Sequence, residues 1–548
     1  MSAWRAGLAL LLLNALLSFN LLWPTPLILP DHRLAPAFIL LWTGLLAWQR
    51  WRGAPGPRLL GAVATFMSLL VLLRYLDVAV PGLFGRPINL YWDVQHLPRF
   101  LWVSAEQLHP LLALLAGGLG LLLIVAGLVG LKRGLQALWT RVARELLPQA
   151  AHSRLAWALT VFGLLSVAGN VAGLPLTWPY ISKPILPTYA RQAELLFTIA
   201  SPGGAERELP PSPAFDGKLD ALGGQDFKLF FLESYGAIVD DDPAMRAALV
   251  PARAELAQAA ADAGRWILSA YLRSPTYGGA SDLAHLSLLS GIDLADPRRH
   301  DLLLTTERKT LVHHFMRHGY RSFGVYPGLS WAWPESRHYG YETLVDGPAL
   351  AYTGPKLGYW WIPDQYSLAK LEQLHPRPAE GPPRFMVYAS ITSHIPFSPV
   401  PPYQPDWSRV LGPEPFEPEA TARALAEQAD WLNLRPGYTG MMVYNMRMMA
   451  GYLRAQAGRP ELLMMLGDHQ PASGVTGPDQ PWEVPVHVVG TDPALRARFE
   501  ALGFQPGVQP QRPALGGMHE LTGMLLRIFD ADSPLAARSE AGPMSSTP

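Results

Sequence analysis

Leu462-Leu463-Met464-Met465-Leu466-Gly467-Asp468-His469-Gln470 decides how this chain is read. Five consecutive apolar residues suit a strand buried on both faces, and glycine stops the run. The next two side chains are a carboxylate and an imidazole, which together suit a divalent cation such as Mn²⁺, Zn²⁺ or Mg²⁺. Most Asp-His pairs are solvated turn residues. This one directly follows a buried strand, at the edge where ligands gather in open α/β sheets.

Working outward, three more segments have the same strand-then-chemistry form. Asp226–Leu232 is a short apolar and aromatic run that delivers Glu233 at its end, followed by Ser234-Tyr235-Gly236. Ser274-Pro275-Thr276-Tyr277-Gly278-Gly279-Ala280-Ser281-Asp282 is a glycine-rich turn leading into an apolar helix, with Ser281 at or near the helix N-terminus. Ser281 then has two readings: an N-cap whose oxygen satisfies an orphan amide, or a hydroxyl ionised by a bound metal beside a phosphate held by helix amides. Thr276 is a second hydroxyl on that turn. Ala389-Ser390-Ile391-Thr392-Ser393-His394-Ile395-Pro396-Phe397 again ends a strand in a loop, and its His394 is either structural or a contact to a phosphate or head group.

Between these pieces helical and strand patterns alternate. Helices are expected over 244–264, 281–290, 305–318, 417–433, 440–457 and 518–529, with strands at 322–326, 385–390, 462–466 and 484–489. That alternation predicts an α/β sandwich with a mostly parallel central sheet over residues 221–532. A Pro- and Gly-rich connector at 175–220 precedes it, and the tail at 533–548 has no apolar period and is expected to be disordered.

Residues 1–174 read differently. The 548-residue chain is 49% hydrophobic and 16% charged, and nearly all its long apolar runs lie in this first third. Apolar segments at about 7–24, 35–49, 59–78, 108–131 and 154–174 each approach the ~20 residues that span a bilayer, which predicts a bundle of about five transmembrane helices. Arg50, Arg52 and Arg58 fall in one loop and Lys132, Arg133, Arg141 and Arg144 in another, so both loops are expected to be cytoplasmic. An odd number of spans then puts everything after about residue 175 outside. Residues 132–153 read as an amphipathic helix on the inner surface, and Arg74 with Asp77 as a pair or as snorkelling ends of the third span.

Lys plus Arg and Asp plus Glu are equal at 44 each, so no net field draws in nucleic acid. With no cysteine, thiolate metal sites and thiol nucleophiles are excluded, and a metal must take oxygen and imidazole ligands.

Taken together these residues resemble the alkaline-phosphatase and sulfatase superfamily, and within it the membrane-anchored lipoteichoic acid synthase-like phosphoglycerol and phosphoethanolamine transferases. Phe230-Phe231-Leu232-Glu233-Ser234 is similar to the family's first metal-ligand strand, and Ser281 falls where its Thr or Ser nucleophile lies. Thr392-Ser393-His394-Ile395-Pro396-Phe397 resembles its His-x-Pro-Phe element, and Gly467-Asp468-His469 its Gly-Asp-His motif. Softer likenesses are Ser330-Trp331 with Tyr339-Gly340-Tyr341, Pro363-Asp364, and Val484–Val489.

The resemblance implies one divalent ion, Mn²⁺ or Zn²⁺ with Mg²⁺ possible, held by Glu233, Asp468, His469 and Ser281. It implies Ser281 as nucleophile, His394, Trp331 and Thr276 on the substrate side, a phospholipid donor, and an envelope glycan or lipid as acceptor. The expected location is the bacterial inner membrane, multi-pass, with the catalytic domain periplasmic or extracellular. Absence of Cys-x-Pro-x-Arg or Ser-x-Pro-x-Arg argues against sulfate-ester hydrolysis, and Met518-His519-Glu520 stands where relatives often have Asp. Two rival readings stay open: a membrane-tethered sulfatase-like phosphodiesterase or hydrolase, and a non-catalytic envelope module.

Overall fold

The computed structural model describes residues 3–21, 28–84, 88–92, 94, 110–177, 179–330, 333–358, 361–377, 380–477 and 480–534. Two units divide at Ala200, Met1–Ala200 and Ser201–Pro548, so the segment read as a connector contributes its helix Ile185–Ala200 to the first and the remainder to the second. Of the expected tail, residues 535–548 lie outside the described residues.

In the first unit, among the described residues, three helices are long and apolar enough to cross a membrane: Pro57–Val80, Gly117–Glu145 and Arg154–Val171. The two earlier apolar segments form helices of 16 residues (Ala3–Ser18) and 17 residues (Pro36–Arg52), short of that length. Residues 132–145 are helical, as expected, but they continue the fourth segment's helix, Pro110–Glu145, without a break. Leu135, Trp139 and Val142 are buried among Leu60, Ala64 and Met67, so this apolar face is packed inside the unit instead of lying on a surface. Higher up the same helix Leu121–Ile124 are all exposed, the side-chain surface a hydrocarbon environment would cover. Arg74 and Asp77 pair at 3.5 Å, and Arg74 also donates to the Phe19 carbonyl and to Asn20 Oδ1, each at 2.9 Å.

The second unit is built on an eight-stranded sheet. Its strands are β1 (Asp226–Leu232), β2 (Trp266–Arg273), β3 (Arg321–Tyr326), β4 (Thr343–Asp346), β5 (Arg384–Ala389), β6 (Glu461–Gly467), β7 (Glu483–Gly490) and β8 (Gln505–Pro506), in the order β8-β2-β7-β6-β1-β5-β3-β4. The pairings make β1 to β6 all run in one sense, with only β7 and β8 reversed, so the sheet is mixed but mostly parallel. Strands β2 and β4 and a helix over 364–374 are additions to the elements expected from sequence.

Alternation along β1 explains the layers. Phe230 and Leu232 face a core made with helices α1 (Pro243–Asp262), α3 (Asp364–Leu374) and α4 (Arg435–Ala455). Phe227 points the other way, with ring centroids 5.5 Å from Phe315 and 5.1 Å from Phe529, under helices Leu311–Arg317 and α5 (Met518–Phe529). Phe231, on that same face, lies 4.2 Å from His285 of α2 (Ser281–Ser290). A sheet buried on both faces must be apolar throughout. Lys228 is one exception, and its ammonium is neutralised by Glu461 at 2.7 Å and Glu372 at 2.9 Å, because an unpaired charge there would cost several kcal/mol.

Candidate metal and hydroxyl site

Because β1, β2, β5 and β6 run in one sense, their C-terminal ends open on one edge of the sheet. Residues 233, 274–281, 390–394 and 468–469 therefore meet although up to 236 positions separate them, counting from 233 to 469. Glycine at 467 permits the approach, since a Cβ there would collide with the Tyr235 carbonyl oxygen of the neighbouring strand end.

Glu233, Asp468 and His469 each offer a ligand atom, and these atoms all lie within 4.8 Å of one another. His469 Nε2 is 3.6 Å from Glu233 Oε1 and 3.7 Å from Asp468 Oδ2. Its other nitrogen, Nδ1, is 2.8 Å from the Gln470 carbonyl and donates to it, which leaves a lone pair on Nε2 facing the carboxylates. Two carboxylates and one imidazole, all buried, form a donor set that fits Mn²⁺, Zn²⁺ or Mg²⁺ and would be repulsive without a cation or protons.

The turn after β2 presents the hydroxyl. Gly278 and Gly279 take φ of 70° and 148°, left-handed backbone open to glycine, and Ala280 follows at 59°. Ala280 is thereby the cap residue before α2, and Ser281 is the first helical residue. The N-cap reading of Ser281 is corrected. Its hydroxyl donates instead to Glu233 Oε2 at 3.1 Å and lies 3.2 Å from His469 Nε2. Thr276, the rival hydroxyl, donates to the Gly279 carbonyl at 2.7 Å and so braces the turn.

Charge in the cluster is strongly coupled. Burial raises the Asp468 carboxyl, the nearby Glu233 raises it further, and the result is about 6. Burial also works to raise Glu233, but the imidazoles of His469 and His394 outweigh it and hold that group below its ordinary value. His469 is raised, since Asp468 and Glu233 overcome the opposing effect of burial. Electrostatics ties His394 to Glu233, and the His394 Nδ1 sits 2.8 Å from the Ile395 carbonyl. Trp331 lies outside the described residues.

Four contributors escaped the sequence reading. Ser234 takes φ 59°, donates its N–H to Asp468 Oδ1 at 2.8 Å and its hydroxyl to Glu233 Oε1 at 2.8 Å, tying the two carboxylates together. Its position beside Glu233 was the available signal. His285 follows Ser281 by one helical turn, is buried, and is pushed down to about 4 by that burial, so it stands neutral behind the cluster. Ser390 and Ser393 hold the backbone of Glu233, a role invisible without the fold.

No family model matches the chain, and no curated protein matches it. Among solved structures it is similar to a protein in the alkaline phosphatase superfamily from Vibrio parahaemolyticus, with 16% identity, TM-score 0.39, and 64% of this chain and 79% of that one covered. It is also similar to the lipoteichoic acid synthase LtaP from Listeria monocytogenes, with 10% identity, TM-score 0.35 and coverage of 54% and 70%. A third is the Streptococcus pyogenes phosphoglycerol transferase GacH in complex with sn-glycerol-1-phosphate, with 11% identity, TM-score 0.33 and coverage of 62% and 91%. Likenesses this loose assign no substrate and no metal, so the chemistry of this chain rests on its own site.

Proposed function

We propose that this chain is a metal-dependent transferase that moves a phosphate-containing head group, phosphoglycerol or phosphoethanolamine, from a phospholipid to an envelope acceptor through a phospho-Ser281 intermediate. The observation that carries the reading is the Ser281 hydroxyl, 3.1 Å and 3.2 Å from a carboxylate and an imidazole inside a buried cluster of cation-ligand type. Ala280, not Ser281, is the cap residue of α2, and the Ser281 hydroxyl is turned to the cluster.

Glu233, Asp468 and His469 would hold the ion, with Ser281 completing the set. A divalent cation bound there supplies charge that favours the alkoxide and neutralises the phosphoryl oxygens. The chain's own groups account for the remaining steps. Glu233 Oε2, which already accepts the Ser281 proton, takes it as Oγ attacks phosphorus. The new Oγ–P bond forms while the bond from phosphorus to the diacylglycerol oxygen breaks, and that oxygen leaves with the proton that Glu233 took. Amides of the first turn of α2 face the phosphoryl group. His394, at the end of β5, is the proposed contact to the head group. An acceptor hydroxyl then gives its proton to Glu233 as it attacks the same phosphorus, the Oγ–P bond breaks, and Glu233 passes that proton to the Ser281 oxygen.

Five crossings of an inner membrane are part of the proposal, three by the long apolar helices and two by the shorter ones, with the second unit outside. The basic residues near 50–58 and 132–144 support that orientation. Such an anchor keeps the site near its lipid donor and raises the effective donor concentration.

The test is mass spectrometry of the full chain after exposure to mixed phospholipids. A head-group phosphate mass on the peptide carrying Ser281 is expected, and its identity names the head group. Turnover of labelled lipid that persists in Ser281→Ala would overturn the assignment. Release of head group without any acceptor would favour the hydrolase.

A further inference from the structure

Glu233 sits one residue beyond the ladder of β1, whose last pairings are Phe231 with Ala389 and Leu232 with Gly467. What fixes its backbone is the segment after β5. Ser390 Oγ accepts from the Glu233 N–H at 2.9 Å, and the Ser393 hydroxyl donates to the Glu233 carbonyl at 2.7 Å. Asn445 of α4, fully buried, donates to Ser393 Oγ at 3.0 Å and orients it. Both peptide groups of Glu233 are thus gripped by a loop that also carries His394.

That loop is folded around one carboxylate. Asp364, the first residue of α3, is fully buried, and no cation pairs with it among the described residues. It accepts from the Ile391 N–H at 3.0 Å, the Thr392 N–H at 2.9 Å and the Tyr388 hydroxyl at 2.6 Å. Its own N–H donates to Thr392 Oγ1 at 2.8 Å, closing a ring between α3 and the loop. A carboxylate buried without a countercharge is expensive, and burial raises its pKa. Four hydrogen bonds concentrated on residues 388–392 are the return for that expense.

We propose that Asp364 is a positioning residue for the metal site: it shapes the 390–394 loop into the clamp that sets Glu233 and presents His394, without itself touching metal or substrate. The proposal rests on the reading of Glu233 as a metal ligand. Replacing one carboxylate oxygen by an amide NH₂ would aim a donor at the loop's N–H groups. The loop would shift, and Glu233 with it.

The test titrates Mn²⁺ into the full chain in detergent micelles. Wild type and Asp468→Ala come first: if wild type takes up no Mn²⁺, or Asp468→Ala takes it up equally, the metal reading itself fails. If that reading stands, Asp364→Asn is expected to raise the Mn²⁺ Kd by about tenfold or more, the usual size of such support effects, and to lower kcat more than it raises KM. Leu371→Ala, on the same helix and in the same core but away from the loop, is expected to lower the melting temperature while leaving the Kd within about twofold. A folded Asp364→Asn with wild-type Kd overturns the proposal. Should Asp364→Asn not fold, Ser393→Ala removes the clamp bond to the Glu233 carbonyl together with the Asn445 contact that orients it, and an unchanged Kd there overturns it as well.

Discussion

Replacing Asp468 by Asn should stabilise the metal-free protein at neutral pH even as it abolishes metal binding. The Asp468 carboxyl titrates at about 6 in the fold against an ordinary 3.8, because it is buried beside Glu233. A folded value raised above the unfolded one means the group's stabilising contribution is complete below about 4 and is lost as pH rises through about 6. A gap of about two pH units corresponds to about 3 kcal/mol at most. Since Glu233, Asp468 and His469 titrate together, about 1–3 kcal/mol is the expected share.

Asn keeps the geometry: its single oxygen can still accept from the Ser234 and His469 N–H groups, now at 2.8 Å and 2.7 Å, while its NH₂ faces Glu233 instead of repelling it. The assay is thermal unfolding of the full chain in detergent with EDTA at pH 4.5 and 7.5. At about 2–4 °C per kcal/mol for a domain of this order, the Asp468→Asn variant should melt several degrees above wild type at pH 7.5 and by only about a third as much at pH 4.5. A lower melting point at pH 7.5, or the same difference at both pH values, would refute the electrostatic account.

Other outcomes follow from the same geometry. Saturating wild type with Mn²⁺ at about 100 times Kd should add about 2.7 kcal/mol, read as a rise in melting temperature that EDTA reverses and that Asp468→Asn lacks. Mn²⁺ affinity should fall roughly tenfold per pH unit below about 6, where a proton competes for Asp468; a flat affinity from pH 5 to 7 would contradict it. Ser281→Ala should reduce transfer by about 10³-fold or more with circular dichroism unchanged, measured with labelled phospholipid. Gly467→Ala should destabilise by more than about 2 kcal/mol and weaken Mn²⁺ binding together, since its Cβ has no room against the Tyr235 carbonyl; an isolated loss of one without the other would go against that explanation.

Much of the fold was legible because both faces of the sheet are buried. Leu462–Leu466 of β6 reads as an unbroken apolar run and β1 as an apolar and aromatic run broken by Lys228, and the chemistry follows each at its end. Among the elements that escaped, β2, β4 and α3 have weaker local patterns: β2 holds Ser269, which is buried and satisfied through His487 at 2.6 Å and the Gly507 carbonyl at 2.6 Å. Residues 132–145 were read as amphipathic, and that period is real, but whether the apolar face meets lipid headgroups or neighbouring helices depends on packing that no local pattern records.

The candidate site divides in the same way. Residue type and spacing along the chain selected Glu233, Ser281, Asp468 and His469, because a carboxylate, hydroxyl or imidazole directly after a buried strand is a local feature. What only the tertiary structure decided is which hydroxyl of the turn faces the cluster, that Ala280 and not Ser281 is the cap residue, that Ser234, Ser390 and Ser393 hold Glu233, and that Asp364 binds the loop carrying the last two. Those choices turn on the direction of side chains and on hydrogen bonds between residues far apart in sequence. The chain's order of residues holds that information only once strand pairing has brought the ends together.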